Sequence, residues 1–199
     1  MPAIRTAEPE TSGYTFFWST DHVNGWASQW YAAPFEAQVN IDGNEETIHF
    51  PSNEHWMMLA SHAGLQLNVV EKVRAIKGTS KSELSAVKKL GRQVKNFDDV
   101  IWVKHRERIV TEGSVHKFRQ NGELRAKLFA TGDTCLVEAS PRDRIWGIGC
   151  SEANALSGKG EKKWGMNLLG KALVNARAIL REEEQVKDER ERDPPPETA

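Results

Sequence analysis

The sequence predicts a mainly helical α+β domain with a small N-terminal β-sheet or hairpin, on three observations. Residues 36–42 and 45–50 partly alternate apolar and polar side chains around Asp42-Gly43-Asn44, a hairpin signal. After residue 51, apolar residues recur at helical spacing behind capping residues and ahead of glycines. In the last such stretch Leu169, Leu173, Ala176 and Leu180 fall at i, i+4, i+7 and i+11, one apolar stripe.

Taken in order, residues 1–12 are polar and read as a flexible N-terminus without the apolar core of a signal peptide. Tyr14 to Trp18 has the aromatic and β-branched content of a strand. A loop through residues 27–31 leads to the hairpin. Ser52 or Asn53 caps a first helix, and Glu54 near its start suits the helix dipole. A second helix runs from Asn68 to Ile76. A third is capped by Thr79 or Ser80, carries Leu84, Val87 and Leu90 inward, and leaves at Gly91. A longer helix opens at residues 96–99 and reaches Val115 to Phe118, with a bend expected at Gly113. A short helix from Gly122, a short strand at 135–138 and a long loop over 141–166 follow. A long loop inside a compact domain tends to be functional. Past Arg181 charges fill every face and Pro194-Pro195-Pro196 stops any helix, so 183–199 is expected as a charged disordered tail and 13–182 as the domain.

Bulk properties narrow the function. The 199 residues are 39% hydrophobic and 28% charged, enough for one core without staples. Net charge is −1; residues 181–199 hold eight acidic and four basic side chains, leaving +3 on the rest. So mild a basic character does not announce broad electrostatic capture of nucleic acid but leaves room for a local phosphate site. Two cysteines and no membrane-length apolar run point to a cytoplasmic or nuclear address without membrane association. His55 and His62 lie seven apart, not at the i, i+4 spacing of a zinc pair, and Leu156-Ser157-Gly158-Lys159-Gly160 lacks the phosphate-loop pattern. No metal or cofactor is expected.

Five clusters carry candidate chemistry: Ser28-Gln29-Trp30 with Pro34-Phe35; Glu54-His55; Gly91-Arg92 leading to Phe97 and Trp102; Lys117-Phe118; and the run from Glu138 through Asp143, Trp146 and Gly149, followed by Trp164 to Lys171. In this order they resemble the NADAR (YbiA-like) family, from about Phe16 to Leu180. Glu54-His55, Lys117-Phe118, residues 130–133, the Asp143-Arg144-Ile145-Trp146-Gly147 run and Asn167-Leu168-Leu169-Gly170 carry the likeness.

The resemblance implies hydrolysis of an N-glycosidic bond in a ribosyl nucleotide. The substrate would be ADP-ribosylated guanine, including that in nucleic acid, or phosphoribosylamino intermediates of riboflavin synthesis. It puts catalytic roles on Glu54, Trp102 and Asp143. Substrate contacts fall to Arg92, Lys117, Trp146, Asn167, His55 and Ser28.

The residue types fit that chemistry on their own terms. Breaking a ribose C1–N bond passes through an oxocarbenium-like state, which one carboxylate can stabilise while another acid protonates the leaving nitrogen. Trp102 or Trp146 can stack on a base, and Arg92, Lys117 or Lys171 can hold phosphate. Which carboxyl is acid and which is base stays open. One position departs from the family pattern: seven residues after Glu54, where members carry lysine, stands Ser61. A non-catalytic ADP-ribose-binding module is the alternative that this departure motivates.

Overall fold

The computed structural model describes residues 13–41, 43–60, 67–93, 97–157 and 163–192. The expectations for residues 1–12, for Ser61 and His62, and for 193–199 lie outside them.

The hairpin forms as its alternation predicts. β2 (Phe35–Ile41) turns Phe35, Ala37, Val39 and Ile41 inward and pairs antiparallel with β3 (Asn44–Phe50). Gly43 takes a left-handed φ of 86° in the turn, and its N–H donates to Asn40 Oδ1 at 3.0 Å.

The expected small sheet is two separate sheets. β1 (Tyr14–Phe17) leaves the hairpin alone and pairs parallel with β4 (Cys135–Glu138), Phe17 opposite Glu138. Both faces of this pair are buried, as parallel strands require. Phe17 and Leu136 enter the main core, while Phe16 and Val137 join a smaller cluster with Ile148 and Ala155.

Seven helices surround the sheets among the described residues: α1 (Asn53–Ala60), α2 (Leu67–Ala75), α3 (Lys81–Gly91), α4 (Asp99–Gln120), α5 (Gly122–Ala130), α6 (Glu152–Leu156) and α7 (Leu168–Arg192). Helix α1 is buried from Asn53 to Leu59, packed on α3 and α4. Ser80 caps α3 in a reciprocal box with Glu83, and Asp98 caps α4 through the N–H groups of Val100 and Ile101. Each cap satisfies backbone donors that the first turn would leave unpaired.

Two expectations change. Helix α4 runs unbroken through Gly113. The glycine is needed because the Trp56 ring lies on it: a Cβ there would stand 2.3 Å from Trp56 Cδ1, and Trp56 Nε1 donates to the Ile109 carbonyl at 2.8 Å. Helix α7 continues to Arg192, so residues 183–192 are helical rather than a disordered tail. Once the buried stripe ending at Leu180 has nucleated the helix, each further turn costs little. Contacts of Glu183 with Arg119 (3.0 Å), Glu184 with Arg125 (3.7 Å) and Lys187 with Glu191 (3.6 Å) favour the extension.

Candidate active site

The site lies where strands β1 and β4 end. Both strands of this parallel pair deliver residues past their carboxyl ends, the usual place for ligands in parallel sheets. Trp18 follows β1 and Glu138 closes β4, and both line one cavity of about 290 Å³. Ser28, Trp30, Lys88 and Asp143 line it too. A second cavity, of about 360 Å³, is lined by Trp102, Trp146, Phe97, Met57 and Met58. Arg92, Gly91, Asp99 and Lys88 line it too, and Lys88 is shared by the two cavities.

Each wall has a local cause. Loop 25–33 is pinned from below by Lys117, whose Nζ donates to the carbonyls of Trp26 (2.8 Å) and Ser28 (3.1 Å). It is pinned from the side by α1, because the Glu54 N–H donates to the Gln29 carbonyl at 3.1 Å. Ser28 Oγ accepts the Trp30 N–H at 3.2 Å. Opposite, Asp143 Oδ1 accepts the N–H groups of Ile145 and Trp146, both at 2.8 Å, which turns the chain and sets the indole. The Trp146 ring stands 6.3 Å from that of Trp102, which stands 6.1 Å from Phe97.

Behind this lining β4 is locked in place. Asn167, at a left-handed φ of 51°, donates to the Leu136 carbonyl (2.9 Å) and accepts the Glu138 N–H (3.0 Å). The Ile148 N–H donates to the Glu138 carbonyl at 2.9 Å. A Cβ on Gly170 would stand 2.0 Å from the Leu136 carbonyl oxygen, and one on Gly147 would stand 2.7 Å from that of Glu138.

Burial dominates the electrostatics. Glu54 is 2% exposed, and the loss of water pushes its carboxyl above the ordinary carboxylate range. Lys88, a Trp30 hydrogen bond and Arg92 pull it partly back. Its Oε1 has no hydrogen-bond partner among the described residues. Burial, with the nearby charge of Asp143, pushes Glu138 up to about 7. Burial brings the Lys117 ammonium down to about 7.

The sequence-derived site residues thus separate into groups. Arg92, Trp102 and Trp146 share one cavity; Ser28 and Asp143 share the other; Glu54 sits buried within the electrostatic reach of Lys88, Arg92 and Glu138. Three residues lie away from the cleft. Lys117 is wholly enclosed and hydrogen-bonds backbone instead of facing a phosphate. Asn167 braces β4. His55 turns toward β3 and α2, against Ile48, Leu59, Val73 and Ile76, with Nδ1 2.9 Å from Ser52 Oγ. Helical geometry explains His55: it is the neighbour of Glu54, and adjacent helix positions do not share a face. Lys88 was missed from sequence, and Trp30 and Glu138 stood in the candidate clusters without a role assigned to them. An acid closing an apolar strand was the available signal for Glu138; Lys88 resembled an ordinary polar position on its helix.

Known proteins share this architecture. N-glycosidase R617 of Acanthamoeba polyphaga mimivirus is 39% identical over 180 residues, covering 88% of this chain and 99% of that protein. N-glycosidase YbiA of Shigella flexneri is 28% identical over 153 residues, covering 77% and 82%. The NMR structure of Escherichia coli YbiA superposes with a TM-score of 0.64 at 26% identity, covering 86% of this chain and 87% of that one. Fold and relatives together define a hydrolase of the N-glycosidase class. The NADAR domain model matches residues 16–181, and the chain belongs to the NADAR family.

Proposed function

We propose that this N-glycosidase hydrolyses the C1–N bond of an ADP-ribosylated guanine. One observation carries the reading: an indole-walled cavity and a carboxyl-lined cavity share one lysine, Lys88. The base stacks on the wall made by Trp102 and Trp146, where an aromatic contact supports binding by roughly 1–3 kcal/mol. The ribose enters the polar cavity beside Asp143 and Ser28, and Lys88 and Arg92 face phosphate. Glu54 and Asp143 supply the carboxyl groups that stabilise the oxocarbenium-like state and handle the water. His55, Lys117 and Asn167 act behind the site, holding the walls rather than the substrate.

A second reading is a phosphoribosylamino intermediate of riboflavin synthesis. It draws on a 27% identical relative named as a riboflavin biosynthesis protein, from Vibrio vulnificus. Both substrates present a ribosyl C1–N bond beside phosphate, so one experiment separates them. Purified protein is given guanine-ADP-ribosylated DNA and, separately, a phosphoribosylamino pyrimidine, with Glu54→Gln and Ser61→Lys alongside. The expected result is release of ADP-ribose by the natural chain and its loss in Glu54→Gln. Release of ribose phosphate alone moves the assignment to the second reading. Release appearing only in Ser61→Lys makes the natural chain a binder of ADP-ribose.

A further inference from the structure

One ionisable group at the cleft is left unused by pairing Glu54 with Asp143. Glu138 closes β4, and its backbone is held on both sides, N–H by Asn167 and carbonyl by Ile148. Its side chain lines the polar cavity together with Asp143, Ser28 and Trp30. Its Oε2 is buried and has no hydrogen-bond partner among the described residues. By contrast, Asp143 Oδ1 accepts two backbone N–H groups. A rigidly placed, unpartnered carboxyl oxygen at a cavity wall is costly when charged, and a proton removes that cost.

We propose that Glu138 is the general acid of the reaction, donating its proton to the nitrogen that leaves the ribose. The assignment rests on the N-glycosidase reading of the site. As the C1–N bond breaks, its electron pair goes to nitrogen, which takes the Glu138 proton. Water adds to C1, and the proton it sheds passes to the Asp143 carboxylate. Exchange with solvent returns that proton to Glu138, so one water is consumed and one free amine or base and one ribose hydroxyl are produced.

The surroundings favour the protonated form. Burial contributes most, Asp143 from the 139–151 loop adds to it, and Glu54 from α1 adds less. Lys88 from α3 opposes them. Lys81 is the other charged residue lining this cavity, and Trp30 and Ser28 are neutral. The carboxyl stands at about 7, where a proton donor is both populated and able to transfer.

The test compares natural protein, Glu138→Gln and Glu138→Asp on guanine-ADP-ribosylated DNA, with kcat and KM taken from about pH 5 to 9. Natural kcat should fall tenfold per pH unit above about 7. Glu138→Gln should lower kcat by roughly 10²–10⁴-fold, leave KM within about threefold and flatten that limb. Glu138→Asp should restore part of kcat and keep the limb. Thermal unfolding across the same pH range supplies a second measurement. A carboxyl raised to about 7 contributes stability that is full below about 4.5 and lost as pH rises through 7. Glu138→Gln should therefore unfold at a higher temperature than natural protein near pH 8, with the gain closing toward pH 5. Glu138→Gln turning over within threefold of natural protein, or keeping the alkaline limb, overturns the role alone. Natural protein that cleaves neither an ADP-ribosyl nor a phosphoribosyl substrate overturns the site reading itself and this role with it.

Discussion

Loop 25–33 separates two regions that bury ionisable groups and treat them in opposite ways. Beneath it, Lys117 is fully enclosed, donates to two carbonyls and lies 5.5 Å and 5.1 Å from the ring centres of Tyr31 and Phe118. Beyond it, Glu54 Oε1 and Glu138 Oε2 are equally cut off from water, yet neither meets a partner among the described residues. A buried charge that finds its partners within the chain holds the chain together. A buried carboxyl with one oxygen left unpaired at the cleft is available to something that comes from outside.

The strongest way to break this contrast is Glu54→Gln, expected to lower turnover roughly 10²–10⁴-fold while the fold persists. Single-turnover assays beside circular dichroism would check it, and a variant that turns over normally would put Glu54 with the structural charges. Lys117→Met comes next. It takes the donor from the Trp26 carbonyl, while the Ser28 carbonyl keeps the Tyr31 N–H, and should cost about 1–3 kcal/mol in urea unfolding. An unchanged midpoint would remove Lys117 from its bracing role.

The two regions should also respond to pH with opposite sign. Lys117 is held down at about 7, so between about 7 and 10 the unfolded chain binds the extra proton and stability rises with pH. Lys117→Met should lose that slope. Glu54 is held up by burial, so its contribution falls as pH rises above the ordinary carboxylate range, and Glu54→Gln should lose that slope instead. Urea titrations at several pH values would show both.

Trp102→Ala should raise KM about tenfold, the loss of one stacking partner, with a smaller effect on kcat. The smallest change belongs to a position outside both regions. Ser80→Ala should cost about 1 kcal/mol through the lost α3 cap, read as a shift in the urea midpoint.

What the sequence made legible were features written in neighbouring residues. The hairpin from 35 to 50, the Ser80 and Asp98 caps and the α7 stripe all follow from local patterns. The family likeness offered Arg92, Trp102 and Trp146 as candidates, but their meeting in one cavity was not written in neighbouring residues. The rest depended on contacts between distant segments. No local pattern says that β1 pairs with β4, that the Lys117 head reaches backbone carbonyls, or that Lys88 is shared by two cavities. Gly113 resembled a bend only because the ring that needs its empty space belongs to Trp56, on another helix.

The β1–β4 pairing has a consequence for how the protein comes into being. The Thr15 and Thr134 hydroxyl groups, 119 positions apart in the chain, meet at 2.7 Å. Closing so long a loop is entropically slow compared with forming the hairpin or any helix. Strand β1, synthesised ahead of β4, therefore waits unpaired while everything between the two is made. The cleft, built past the ends of these two strands, is among the last parts to assemble, and any fragment stopping before β4 has helices but no cleft.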